Sequence, residues 1–127
     1  MTMRCHRVKM VLGVAALLLF AGCASQPPLY NYQDYSSSYY DNVKTPGEET
    51  ALNLQQSMEK AIEAAGESRS GRVPPGMYAN LGYIYLKGGA SAKAIQMFNK
   101  EKETYPEATH FMDRVIQKVE LAERGSK

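Results

Sequence analysis

The sequence predicts a small all-α domain of about four antiparallel helices. Three observations lead to it. Apolar residues recur at spacings of three and four in four separate windows, the period of a helix buried on one side. Glycine and proline stand between the windows, where helices stop. The one hint of strand-like alternation, Tyr30 and Tyr32, does not continue to Tyr39.

The first window follows the break Thr45-Pro46-Gly47. Ala51, Leu54, Met58, Ile62 and Ala65 form a stripe widened by Leu52 and Ala61, and Glu48 and Glu49 suit the positive end of a helix. Gly66 closes this helix, predicted over 48–66. A polar loop with Arg69 and Arg72 leads to the second helix, 76–88, on which Tyr78, Leu81, Gly82 and Tyr85 share a face. Lys87-Gly88-Gly89 ends it, since glycine turns left-handed without strain. The third helix, 91–104, offers Ala94 and Phe98 and stops before Pro106. The fourth, 107–123, carries Phe111, Met112, Val115, Ile116 and Val119. Glu107 and Asp113 lie near its start, and Lys118 and Arg124 near its end.

The middle pair has a specific pattern. Tyr78-x2-Leu81-Gly82-x2-Tyr85, Ala94-x3-Phe98 and Pro106 resemble one tetratricopeptide repeat, with Tyr78 where that repeat most often has Trp. Gly82 admits a second helix closely, and Ala94 and Phe98 offer a small and a large side chain to the gap. Glu101 departs from the pattern, which prefers a small residue there, and this argues against close packing at the end of the third helix. Glu101, Glu103 and Glu107 read most simply as a solvated face. One such unit cannot bury its apolar face alone, so the flanking helices must cap it or a partner must.

Ahead of the helices lies a different kind of sequence. Arg4, His6, Arg7 and Lys9 precede the apolar run Met10–Phe20, which is 11 residues long. The run is short for a permanent bilayer anchor and fits a secretory signal. Its ending, Phe20-Ala21-Gly22-Cys23, resembles the bacterial lipoprotein box, which implies cleavage before Cys23 and lipidation of its thiol. An ordinary secretory signal with an incidental cysteine and a retained transmembrane helix are the alternatives. Ala24 stands where Asp would favour inner-membrane retention in such lipoproteins, so the expected location is the outer membrane, facing the periplasm. The domains are then 1–22, signal peptide; 23–47, lipidated cysteine and tyrosine-rich tether; and 48–124, the helical domain.

The tether is expected to be non-helical. Its start, Ala24 to Pro28, is a polar, proline-stiffened spacer. Tyr30, Tyr32, Tyr35, Tyr39 and Tyr40 follow, five of the nine tyrosines, with the turn-like run Ser36-Ser37-Ser38 among them. As a fully flexible chain, these 24 residues would hold the domain roughly 27 Å from the lipid. Two readings stay open: an ordered arm lying over the helices, or a contact strip for a partner protein or the membrane interface, with Tyr30, Tyr32 and Tyr35 as its residues.

Charge and chemistry exclude several classes. The formal charge of +2 comes from 15 basic and 13 acidic residues. Loss of Arg4, Arg7 and Lys9 with the signal leaves 12 basic residues, net −1. No basic face for nucleic acid follows. Neither Cys5, in the signal, nor Cys23, at its end, is left for a disulfide. His110 is then the one histidine, too few for zinc without soft ligands. The serines lack a His–Asp context, and Gly88-Gly89 lacks the phosphate-loop sequel. No enzyme, cofactor, metal site or small-molecule substrate is expected.

A binding surface remains. In repeats of this kind the first helix presents its inner face, here Ala79, Asn80, Tyr83, Leu86 and Lys87. Asn80 could hold a peptide backbone and Tyr83 could form an aromatic wall. Equally, Tyr83 and Leu86 could pack on the preceding helix. The mature chain also resembles the small bacterial lipoproteins of domain-of-unknown-function family 4810. The resemblance is carried by Leu29-Tyr30, Tyr32, Tyr35, Lys44-x-Pro46-Gly47, Val73-Pro74-Pro75-Gly76, Tyr78-Ala79-x-Leu81-Gly82, Glu101-Lys102, Tyr105-Pro106-Glu107 and Phe111-Met112. It implies a lipid-anchored helical domain and, as partners, a curli-channel-like (CsgG-like) lipoprotein and a second small lipoprotein. The expected function is a non-enzymatic, lipid-anchored adaptor of the cell envelope. The alternative is a structural envelope lipoprotein touching peptidoglycan or membrane through the tyrosine arm.

Overall fold

The computed structural model describes residues 26–125. The signal sequence and Cys23 lie outside the described residues. Within them the chain is all-helical: α1 (Tyr35–Lys44), α2 (Glu48–Glu63), α3 (Met77–Lys87), α4 (Ser91–Thr104) and α5 (Thr109–Gly125). A 3₁₀ turn, Ala64–Glu67, extends α2, and another, Pro106–Ala108, leads into α5. The four expected helices are present, with ends displaced by three residues or fewer.

The fifth helix corrects the expectation of a non-helical arm. α1 occupies Tyr35–Lys44, through the serine run. The run is tolerable in a helix because Ser36 and Ser37 are solvent-facing, and serine costs only a few tenths of a kcal/mol, roughly, against alanine. The half-buried residues Tyr35, Ser38 and Asn42 recur at three and four, a helical period carried by polar side chains. A search for apolar periodicity passes over it.

With α1 in place the fold is two helical hairpins, α1–α2 and α3–α4, followed by α5, each helix packing on its neighbours in the chain. The hairpins turn buried or half-buried positions inward at matching intervals. Tyr35, Ser38 and Asn42 of α1 correspond to Tyr78, Leu81 and Tyr85 of α3, while Leu54, Met58 and Ala61 of α2 correspond to Ala94, Phe98 and Glu101 of α4. This is a TPR-like stack whose first hairpin carries few of the residues that identify the second.

The core is in two parts. Leu54, Met58, Ala61 and Ala65 pack with Val73, Met77 and Leu81 between α2 and α3. Ala94 and Phe98 pack with Met112 and Val119 between α4 and α5. Tyr85 packs against both. The parts join where α3 meets α4, at Gly82. A methyl group there would lie 2.7 and 2.9 Å from ring carbons of Phe98 and 3.1 Å from the Ala94 carbonyl oxygen. Gly89, with φ of 78°, then turns the chain into α4, its N–H donating to the Leu86 carbonyl at 3.0 Å.

Glu101 corrects a second expectation. It is not solvated but 3% exposed, and α4 packs closely at that level. Its carboxylate accepts the N–H of Gly76 at 2.7 Å and of Ala79 at 3.2 Å. α3 has no capping side chain of its own. The first N–H groups of a helix lack intrahelical acceptors and carry the positive end of its dipole. Glu101 supplies the acceptor and the opposite charge from the neighbouring helix. Glu103 and Glu107 are exposed, as expected.

Replacing Gly82 with Leu should force Phe98 and the α4 backbone outward. Overpacking of this kind costs about 1–3 kcal/mol, and the gain in helix propensity returns less than about 1. Urea unfolding should show a clearly lowered midpoint; an unchanged midpoint would mean the helices do not approach closely at this point.

Candidate functional site

Three of the residues singled out on α3 form one exposed line. Asn80, Tyr83 and Lys87 are spaced by three and four and are all exposed, Tyr83 to 56%. The Lys87 Nζ lies 5.4 Å from the centre of the Tyr83 ring, so the cation covers the aromatic face. Tyr83 therefore does not pack on α2. Leu86 sits apart from this line: half-buried, it packs against the second core cluster, on the side of α4 and α5. Lys87 also borders an open groove of about 560 Å³ walled by Ala51, Leu52 and Gln55 of α2 and by Ile84 and Gly88.

The tyrosine arm meets this line. Asn80 donates its side-chain amide to the Tyr35 hydroxyl at 3.3 Å. From Tyr35 the aromatic rings run on in both directions. Ring centres are 6.5 Å apart for Tyr30 and Tyr32, 6.3 Å for Tyr32 and Tyr35, and 5.9 Å for Tyr35 and Tyr39. Burial, and then the neighbouring Tyr39 phenol, raise the pKa of Tyr35 above the ordinary tyrosine value; the Asn80 amide pulls the other way. The structure thus brings the arm residues Tyr30, Tyr32 and Tyr35 to the α3 line of Asn80, Tyr83 and Lys87, and leaves Leu86 apart from it.

The arm is fastened, not free. Arg69 and Ser70 donate backbone N–H groups to the carbonyls of Pro28 and Leu29, at 3.0 and 3.1 Å. Asn31 donates its amide to the Glu67 carboxylate at 3.4 Å. The same loop is held from its other side: the Arg72 guanidinium donates to the Thr104 carbonyl and lies over the Tyr105 ring. Tyr105 is buried and donates its hydroxyl to the Val73 carbonyl at 2.6 Å. Burial, and then a hydrogen bond with Tyr30, raise the pKa of Tyr105. The loop from Ala64 to Val73 is therefore the hub that ties the arm to the end of α4. Sequence reasoning missed this role. Arg69, Ser70 and Arg72 look like ordinary loop residues, and main-chain bonds leave no trace in side-chain pattern.

A second, half-buried tie joins α3 to α2. Tyr85 donates its hydroxyl to Glu59 of α2 at 2.7 Å. That hydrogen bond, then burial and the Glu59 charge, push the Tyr85 phenol up to about 12. Tyr78 is also raised, by burial first and by the Glu101 charge second. His110 is exposed near the start of α5. Among the described residues no three His, Cys, Asp or Glu side chains gather as metal ligands, and no helix is long and apolar enough to cross a membrane.

The family model described as Domain of unknown function (DUF4810) matches residues 29–115. The chain belongs to that family. The match starts with the arm, at Leu29, and ends within α5, so it takes in the arm and the helices together. No curated protein and no solved structure matches the chain.

The Tyr85–Glu59 bond predicts an alkaline weakness. The folded state holds this phenolic proton more tightly than the unfolded chain, whose value is 10.0. The stabilisation is therefore complete below pH 10 and is lost as pH rises through about 12. Tyr85→Phe should cost about 1 kcal/mol at neutral pH and make the alkaline fall shallower than in the parent. Urea unfolding at a series of pH values checks this; parallel curves for the two proteins would contradict it.

Proposed function

We propose that this DUF4810 chain is a non-enzymatic, lipid-anchored adaptor of the bacterial cell envelope. It holds a partner protein on the surface formed by Asn80, Tyr83 and Lys87. The observation that supports the reading is the line itself: an amide, an aromatic ring and a cation, exposed on a helix whose other face is fixed by core packing. Such groups suit a peptide or protein surface. Aromatic side chains are enriched where interfaces concentrate their energy, and an exposed amide can pair with a main chain. The groove beside Lys87 gives an incoming side chain somewhere to go. Anchoring at Cys23, cleavage of residues 1–22, outer-membrane location and a periplasmic orientation come from the lipoprotein-like leader. The CsgG-like lipoprotein and the second small lipoprotein are the proposed partners, on the strength of family resemblance.

A structural role is the second reading, in which the tyrosine arm touches peptidoglycan or membrane. It is favoured by the exposure of Tyr39 and Tyr40 on α1.

Affinity purification from detergent-solubilised membranes tests the adaptor reading. The parent chain should recover a protein partner, and the triple substitution Asn80→Ala, Tyr83→Ala, Lys87→Ala should lose most of it while unfolding at the parent's midpoint. No partner above background with the parent, or full recovery with the triple variant, would contradict the adaptor reading.

A further inference from the structure

We infer that the outer face of α1 rests on the membrane interface and sets the orientation of the domain on the bilayer. The inference rests on the lipid-anchor reading of Cys23 and goes beyond it. An acylated cysteine says that the chain is tethered; it does not say which side faces the lipid.

The first argument is reach. The main chain is already bound to the fold at Pro28 and Leu29. Only five residue steps separate Cys23 from Pro28, and extended chain covers at most about 3.6 Å per step, so Pro28 lies within about 18 Å of the acylated residue. The long, loose spacer suggested by composition is not available to hold the domain away. Whatever is nearest Pro28 is held near the lipid headgroups.

The second is what the next stretch of chain presents. Five large, apolar or aromatic side chains are exposed between residues 29 and 43: Leu29 at 50%, Tyr32 at 42%, Tyr39 at 51%, Tyr40 at 61% and Val43 at 59%. With 3.6 residues per turn, Tyr39, Val43, Ser36 and Tyr40 fall within an arc of about 100° on α1. That arc holds no charged residue. Asp34 and Asp41 turn to the opposite side, where with Ser38, Asn53 and Lys60 they line a polar groove against α2. α1 buries none of its residues. The two carboxylates, though exposed, are thus kept to the groove side, and the outward arc of Tyr39, Tyr40 and Val43 is left without charge.

The third is the chemistry of tyrosine. A ring with a hydroxyl at its edge suits a boundary between hydrocarbon and water, and tyrosine is enriched there. Lys44, with Nζ 5.7 Å from the centre of the Tyr40 ring, closes the strip with a cation suited to lipid phosphate. A lipid surface accounts for the anchor, the uncharged arc and its terminal cation together. A protein partner would account for the arc alone.

The chain contains no tryptophan, so Tyr40→Trp introduces a single reporter. The purified full lipoprotein would be placed in vesicles of phosphatidylethanolamine and phosphatidylglycerol, with and without bromine at shallow acyl positions, after mass spectrometry of Cys23. Tyr40→Trp should emit at shorter wavelength in vesicles and lose most of its emission to brominated lipid. Val43→Trp, on the same arc, should behave alike. Phe111→Trp, on exposed α5, should do neither. If Cys23 is acylated and both arc reporters remain unquenched, the strip faces away from lipid and is free for a protein: this inference falls and the anchor stands. If Cys23 carries no acyl chain, both fall.

Discussion

The structure depends on the close approach of α3 and α4. Gly82 has no side chain because the Phe98 ring and the Ala94 carbonyl occupy the space. Every other feature is placed relative to that contact. Phe98 and Ala94 reach back from it to α5 through the second core cluster, and Leu81 and Met77 reach forward to α2 through the first. Tyr85, one turn beyond Gly82, touches both clusters and bonds Glu59. With its inner face held on both sides, α3 has one free edge, and Asn80, Tyr83 and Lys87 lie along it.

Glu101 gives this contact its direction. Burying a carboxylate costs several kcal/mol, roughly, unless it is paired and hydrogen-bonded. Here the compensation comes from two backbone N–H groups and the positive end of α3. A small residue, as the tetratricopeptide pattern prefers, would allow the helices to approach but would leave α3 uncapped. Glutamate both fills the site and fixes the start of α3 against α4. In the same region Tyr105 bonds Val73 and Arg72 bonds Thr104, so the loop before α3 is fixed as well. That loop in turn holds the arm. A chain of contacts thus runs from the α3–α4 pair, which carries the surface proposed for a partner, to Pro28, five residues from the proposed anchor.

Much of this was legible in the sequence, and the exceptions have physical causes. Four helices were visible because their buried positions are apolar at helical spacing, and the pair around Gly82 because its spacing is specific. The family was legible from the arm and the helices together. α1 was not: Ser38 and Asn42 hold its period with polar side chains, and it buries nothing. Glu101 was misread because a charge in sequence suggests solvent, and only the fold shows that the N-terminus of another helix lies opposite. The separation of Leu86 from Asn80, Tyr83 and Lys87 depends on where α4 and α5 sit. The line from Asn80 to the tyrosine rings needed α1, since Tyr35 reaches Asn80 from that helix.

The sharpest measurement is hydrogen exchange at two amides, Gly76 and Ala79, in the parent and in Glu101→Ala. N–H groups at the start of a helix ordinarily exchange quickly because they have no acceptor within it. The account predicts that both are protected in the parent and that both lose protection in the variant while amides in the middle of α4 keep most of theirs. Rapid exchange at Gly76 and Ala79 in the parent would mean that Glu101 does not cap α3, and the coupling of core, loop and arm described here would be contradicted.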